Sequence, residues 1–151
     1  MKPFFYTVLL ISTAWLSDCK KQSNKPPVVT EHRPAGFTEN KTVAVNTCSP
    51  FTQNAVNYSI CLDSVTNESR CPHGAECIWM GYAKTKFIFT AGPLTHHFSL
   101  YTQLQSGASA LPNDTTINGI KIQLLNLTPY PDLATVINYS DYKAEVVITQ
   151  Q

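Results

Sequence analysis

From position 37 onward the apolar residues of this chain return at a spacing of two more often than at the 3.6 of a helix. The clearest window is 83–90, where Ala83, Thr85, Phe87 and Phe89 alternate with Lys84, Lys86, Ile88 and Thr90. One of its faces is half polar, which predicts a strand bordering solvent. Tyr58, Ile60 and Leu62 alternate with Ser59, Cys61 and Asp63 and predict a second strand reaching Val65. Ile120, Ile122, Leu124 and Leu127 predict a third, and Tyr142, Ala144, Val146 and Ile148 a final one. Residues 42–45 and 96–101 are shorter stretches of the same kind.

Turn chemistry separates these windows. Gly92-Pro93 breaks one strand from the next, and 107–112 reads as a loop. Asn118-Gly119 stands between β-formers, a strong hairpin signal because a type I′ turn needs positive φ at both centres. Pro129-Tyr130-Pro131 ends a strand, and residues 133–139 leave room for one or two helical turns at most. No long amphipathic helix and no internal repeat is visible. The fold class is therefore all-β, a small antiparallel sandwich or barrel of about six to eight strands.

Composition narrows the setting. Charged residues make up only 14% of the 151 positions, against a usual share of about 25%, as suits an exported β protein. From position 37 onward six cations face eight carboxylates, so this part carries a net charge of −2. No basic stripe exists for a phosphate backbone, which argues against nucleic acid as a partner.

The first residues read as an address. A positive start precedes an apolar run over 4–16, about 20 Å long as a helix and too short for the roughly 30 Å bilayer core. It predicts a cleaved signal segment over 1–18. Leu16-Ser17-Asp18-Cys19 resembles the lipobox of bacterial lipoproteins. The resemblance implies that Cys19 is acylated and becomes the mature N-terminus, with the lipid bilayer as partner and the cell envelope, specifically the outer membrane, as location. Two or three acyl chains give stable anchoring where one does not. Residues 19–36, polar and carrying Pro26, Pro27 and Pro34, read as a flexible tether to a β domain over 37–151.

With Cys19 assigned to lipid, Cys48, Cys61, Cys71 and Cys77 form an even set with three pairings. Pro72 and Gly74 bend the chain back between Cys71 and Cys77 and favour that pair, leaving Cys48 with Cys61. The two rings remove unfolded-state entropy worth roughly 2 and 3 kcal/mol respectively. A metal reading of Cys71, His73 and Cys77 is weaker: five residues part the cysteines where zinc sites want two to four, and the compartment favours disulfides. His96 and His97 are neighbours on a strand, so they point to opposite faces and cannot chelate together. No metal or other cofactor is expected.

Residues 69–81 concentrate two cysteines, Pro72, Gly74, Gly81 and Trp79, and read as a covalently pinned nucleus of the fold. In the simpler reading Trp79 covers the disulfide and seeds the core. In the other, Trp79 with Tyr82 or Tyr101 forms a platform for a sugar or peptide. Ser69-Arg70-Cys71-Pro72, Gly74, Cys77-Ile78-Trp79, Gly81 and the later Leu127-Thr128-Pro129-Tyr130-Pro131 resemble a group of bacterial exported lipoproteins with an S-R-C-P-x-G-x-x-C-I-W-x-G signature. That resemblance implies no particular activity.

No nucleophile elbow, paired zinc histidines, phosphate loop or dinucleotide fingerprint occurs, and no catalytic residue is assigned. Asp132 and Asp141 bracket a loop as turn-formers or solvated groups. Asp63-Ser64-Val65 and Asp114-Thr115-Thr116 resemble O-glycosylation sites of some bacterial envelope proteins. The leading expectation is a non-catalytic envelope lipoprotein that binds another envelope protein or a glycan, or supports an assembly. One alternative presents the Cys71 to Cys77 ring to a protease as an inhibitory loop. The other is a metal-dependent enzyme using His73, His96 or His97.

Overall fold

The computed structural model describes residues 36–102 and 111–150. The predicted signal segment, Cys19, nearly all of the tether and positions 107–110 of the predicted loop lie outside them. The described chain is all-β: β1 (Thr38–Ala44), β2 (Thr47–Gln53), β3 (Val56–Thr66), β4 (Lys84–Ala91), β5 (Leu94–Tyr101), β6 (Asp114–Ile117), β7 (Ile120–Thr128) and β8 (Lys143–Gln150). They form two four-stranded antiparallel sheets, ordered β1-β8-β7-β6 and β2-β3-β4-β5.

The alternation read in the sequence becomes the interior. Ile60, Leu62, Phe87, Phe89 and Leu100 of one sheet meet Val43, Ile120, Ile122, Leu127, Val146 and Ile148 of the other, all at most 2% exposed. Each such side chain contributes about 1.5–3 kcal/mol of burial. Thr85 is the one polar member of its strand's inner row, and its hydroxyl donates to Leu100 O at 2.8 Å. A register shift between Leu62 and Ser64 and another between Leu124 and Asn126 mark bulges in β3 and β7. Each keeps an apolar residue pointing inward on both sides of the irregularity, Leu62 and Val65 in one strand, Leu124 and Leu127 in the other.

The three hairpin turns share one end of the sandwich, while the two-residue link Val45-Asn46 between β1 and β2 lies at the other. Three two-residue turns, Asn54-Ala55, Gly92-Pro93 and Asn118-Gly119, lie at the end where β1 begins and β8 finishes. Asn54 Nδ2 reaches Gln150 Oε1 there at 3.4 Å, and Gln150 N donates to Phe37 O at 3.0 Å. At the opposite end the chain runs the long connections 67–83 and 129–142.

One expectation needs correction. β2 was not among the predicted strands; it carries Pro50, which an edge strand accommodates because one row of its N–H groups needs no partner. The second long connection stays within the upper limit of one or two helical turns, with a 3-10 turn at Tyr139–Asp141.

Candidate functional site

The connection 67–83 is pinched at its base. Ser69 N donates to Tyr82 O and Cys71 N to Met80 O, at 2.9 and 2.8 Å. The Ser69 hydroxyl adds a second bond to Tyr82 O at 2.9 Å. Gly81 makes this neck possible: its φ is +65°, and a Cβ there would lie 1.7 Å from Ser69 O. Beyond the neck the Cys71–Cys77 disulfide closes a small ring, within which Ala75 N returns to Pro72 O at 3.1 Å.

Below the neck sits a buried guanidinium. Arg70 Nη2 meets Glu68 Oε2 at 2.6 Å and donates to Pro129 O at 3.0 Å, while Nη1 donates to Leu127 O at 2.6 Å. The guanidinium also lies 5.0 Å from the Tyr130 ring centre. Tyr142 donates its hydroxyl to Glu68 Oε2 at 3.2 Å. Burial, followed by the Glu68 carboxylate, pushes the Tyr142 phenol above its ordinary range. Both partners of this charge pair thus reach across the fold, tying the first connection to the end of β7 and the start of β8.

The second connection packs against the ring. His73 N donates to Pro131 O at 2.9 Å and Leu133 N to His73 O at 3.3 Å. The His73 and Tyr130 rings lie 4.6 Å apart. Asp132 Oδ1 accepts from Ala134 N at 2.7 Å, the turn-forming role expected of it. Two clefts open here. One of about 200 Å³ takes Arg70, Met80, Leu125 and Tyr130 among its walls; the other, about 510 Å³, is lined by Tyr130, Asp132, Val136, Ile137, Asp141 and Lys143 among others.

The residues between ring and neck are what the sequence placed wrongly. Ile78 is fully exposed and Trp79 is 60% exposed, so the indole does not seed the core. The reason is local: β4 starts only at Lys84, and the interior is already filled by the strands' own inner rows. Residues 69–81 are accordingly not the fold's nucleus but a braced connection at its end. Met80, Leu125, Leu133 and Val136 are also exposed; Met80 and Leu125 line the smaller cleft and Val136 the larger.

The remaining candidates separate. Tyr82 and Tyr101 contact each other edge to face at 5.6 Å, and Lys84 Nζ lies 5.9 Å from the Tyr101 ring centre. Cys48 and Cys61 stand directly opposite in β2 and β3 and are disulfide-bonded. His96 and His97 lie opposite Phe89 and Ile88 respectively, on different faces of β5, as expected. The sulfurs of Cys71 and Cys77 bond each other and are not thiolates for a metal. Among the described residues no three His, Cys, Asp or Glu converge as metal ligands. Ser64 and Thr115 of the glycosylation-like triplets are both half-buried.

Sequence reading missed the part played by Glu68 and Arg70. Its available signal was a carboxylate two residues before an arginine in a stretch otherwise poor in charge. Leu133 and Val136 had no signal, because they sit in an aperiodic loop where hydropathy does not report direction. No protein-family model, curated protein or solved structure matches this chain.

Proposed function

We propose that this protein is an envelope lipoprotein, held to the membrane through acylated Cys19, whose β-sandwich is a non-catalytic binding module. The observation that carries the binding reading is the run Ile78-Trp79-Met80, three large apolar side chains each at least 60% exposed on a connection closed by a disulfide and a backbone neck. Exposed apolar patches of this kind mark interaction sites, and a braced loop loses little freedom on binding. Two disulfides in one small domain suit an oxidising compartment, which supports export. The backbone of His73 inside the ring is already bonded to the neighbouring connection, so the residues offered to a partner are 78–80 and not the ring's own Pro72-His73-Gly74.

Metabolic labelling with a palmitate analogue tests the anchor. The full chain is expected to incorporate label and sediment with membranes, and Cys19→Ser to lose both. Equal labelling of Cys19→Ser, or an unlabelled and soluble parent chain, contradicts the proposal.

A further inference from the structure

We infer that two copies of this chain join edge to edge through β5, in an antiparallel pair centred on His97. The inference goes beyond the anchored-module reading and does not depend on Cys19.

A sheet edge is a row of N–H and C=O groups in want of a strand, and native edges are blunted by charge, proline, bulges or brevity. Three of the four edges here are blunted. β1 carries Glu39 and Lys41, paired at 2.6 Å. β2 carries Pro50, which has no N–H to offer, and Lys41 Nζ donates to the Pro50 carbonyl at 3.4 Å. β6 is four residues long and begins with Asp114, held by Lys121 at 2.8 Å. β5 has none of these devices. Its eight residues, Leu-Thr-His-His-Phe-Ser-Leu-Tyr, include no proline, carboxylate, lysine or arginine, and its register with β4 runs without a shift.

Two bonds at the end of β5 show which of its groups face outward. Thr102 N donates to Ala83 O at 3.1 Å, on the β4 side, while Tyr101 N donates away from β4 to Pro112 O at 2.9 Å. Backbone groups alternate along a strand, so Thr95, His97 and Ser99 also turn theirs away from β4. Among the described residues nothing bonds those outward groups.

What satisfies such a row is another strand, and β5 matches itself. With a two-fold axis at His97, that residue stands opposite its own counterpart and Thr95 opposite Ser99, and each outward N–H of one copy reaches an outward C=O of the other. The side chains of these three lie on the outer face of the sheet, Thr95 and His97 exposed and Ser99 half-buried. Opposed Thr and Ser hydroxyls form a favourable cross-strand pair. Charge does not oppose the contact. The nearest lysines, Lys84 and Lys86, belong to β4, opposite Tyr101 and Ser99, and Asp63 lies one strand further in on β3. Each lysine stands three strand spacings, at least about 14 Å, from its counterpart, beyond the screening length of about 8–10 Å. Because β5 is the one unblunted edge among the described strands, both copies use the same surface and the assembly closes at two.

Cysteine crosslinking in the full chain, with Cys19→Ser so that the other native thiols are all in disulfides, tests the register. Opposed residues of a hydrogen-bonded antiparallel pair have Cα atoms about 5.5 Å apart, within disulfide reach. His97→Cys is expected to give a covalent dimer under mild oxidation, and Thr95→Cys mixed with Ser99→Cys a covalent heterodimer. Thr95→Cys or Ser99→Cys alone should give none, since each is four residues from its own counterpart, about 13 Å. Without these cysteines, sedimentation should show a monomer–dimer equilibrium, which His97→Lys shifts roughly fivefold toward monomer by setting like charges face to face. Far-ultraviolet spectra matching the parent's establish that each variant folds, and sedimentation of the parent reports independently of them. A parent that stays monomeric at every concentration overturns the inference. So does a folded His97→Cys chain that does not crosslink, or one that crosslinks no more readily than Thr95→Cys alone. In whole cells, a His97→Cys adduct to a different protein in place of a second copy overturns it as well.

Discussion

Arg70 shows how much one side chain decides at this end of the molecule. Its guanidinium bonds Glu68 and two carbonyls, of Leu127 in β7 and of Pro129 just past that strand, whereas β3, the strand preceding Arg70, is in the other sheet. Its side chain is 4% exposed and that of Glu68 24%, so the pair is only partly screened. Arg70→Ala strands a carboxylate and two carbonyls and is expected to cost about 3 kcal/mol in urea denaturation. Arg70→Lys should recover little, since an ammonium cannot span three acceptors in a fixed fork. A loss under about 0.5 kcal/mol, the range of an ordinary surface change, contradicts this role.

Tyr142 belongs to the same node and gives it a pH signature. Its phenol is raised above the ordinary value near 10 by burial and by Glu68. The unfolded chain therefore loses this proton first as pH rises, and stability falls above about pH 10 until the folded phenol also ionises. Below that window the contribution is complete. Tyr142→Phe should flatten the alkaline decline while leaving a small deficit at neutral pH, from the lost bond to Glu68; identical alkaline slopes for both proteins contradict it. At this scale the sequence was readable where residues repeat with a period, as at Phe87 and Phe89. It was misleading at Trp79, whose hydrophobicity says nothing about direction once the period is broken.

Among elements, the hairpins were the most legible. Asn118 and Gly119 take φ of 51° and 76°, the positive values their type I′ signal demands. The turn between β2 and β3 went unread because it places alanine where that signal wants glycine. Asn54 and Ala55 have φ of 49° and 61°. A left-handed L-residue costs about 1–2 kcal/mol, and glycine returns about 0.4–1 of that through the freer unfolded chain. Ala55→Gly is thus expected to raise the urea midpoint, by the equivalent of about 0.5–1 kcal/mol; an unchanged or lower midpoint contradicts the strain. The bulge at Leu125 was equally invisible, since Leu124-Leu125 reads as two apolar neighbours and only pairing with β8 reveals which one faces out.

For the molecule as a whole, the two ends of the sandwich have different jobs. One holds tight turns and the attachment of the N-terminal segment, and the other holds two long connections braced by a disulfide, a glycine neck and a buried charge pair. Sequence patterning gave the all-β class and both cysteine pairs because alternation and ring closure are local properties. Which end would carry the exposed surface depended on strand order, which no local pattern encodes. The account turns on Trp79 standing in water on a folded domain. Fluorescence of the chain from Cys19 onward, in which Trp79 is the one tryptophan, measures this directly. The emission should lie at the red, solvent-exposed end of the tryptophan range and be readily quenched by acrylamide, while the far-ultraviolet spectrum stays that of a folded β protein. Blue-shifted emission shielded from acrylamide would contradict the account, because the indole would then be part of the core.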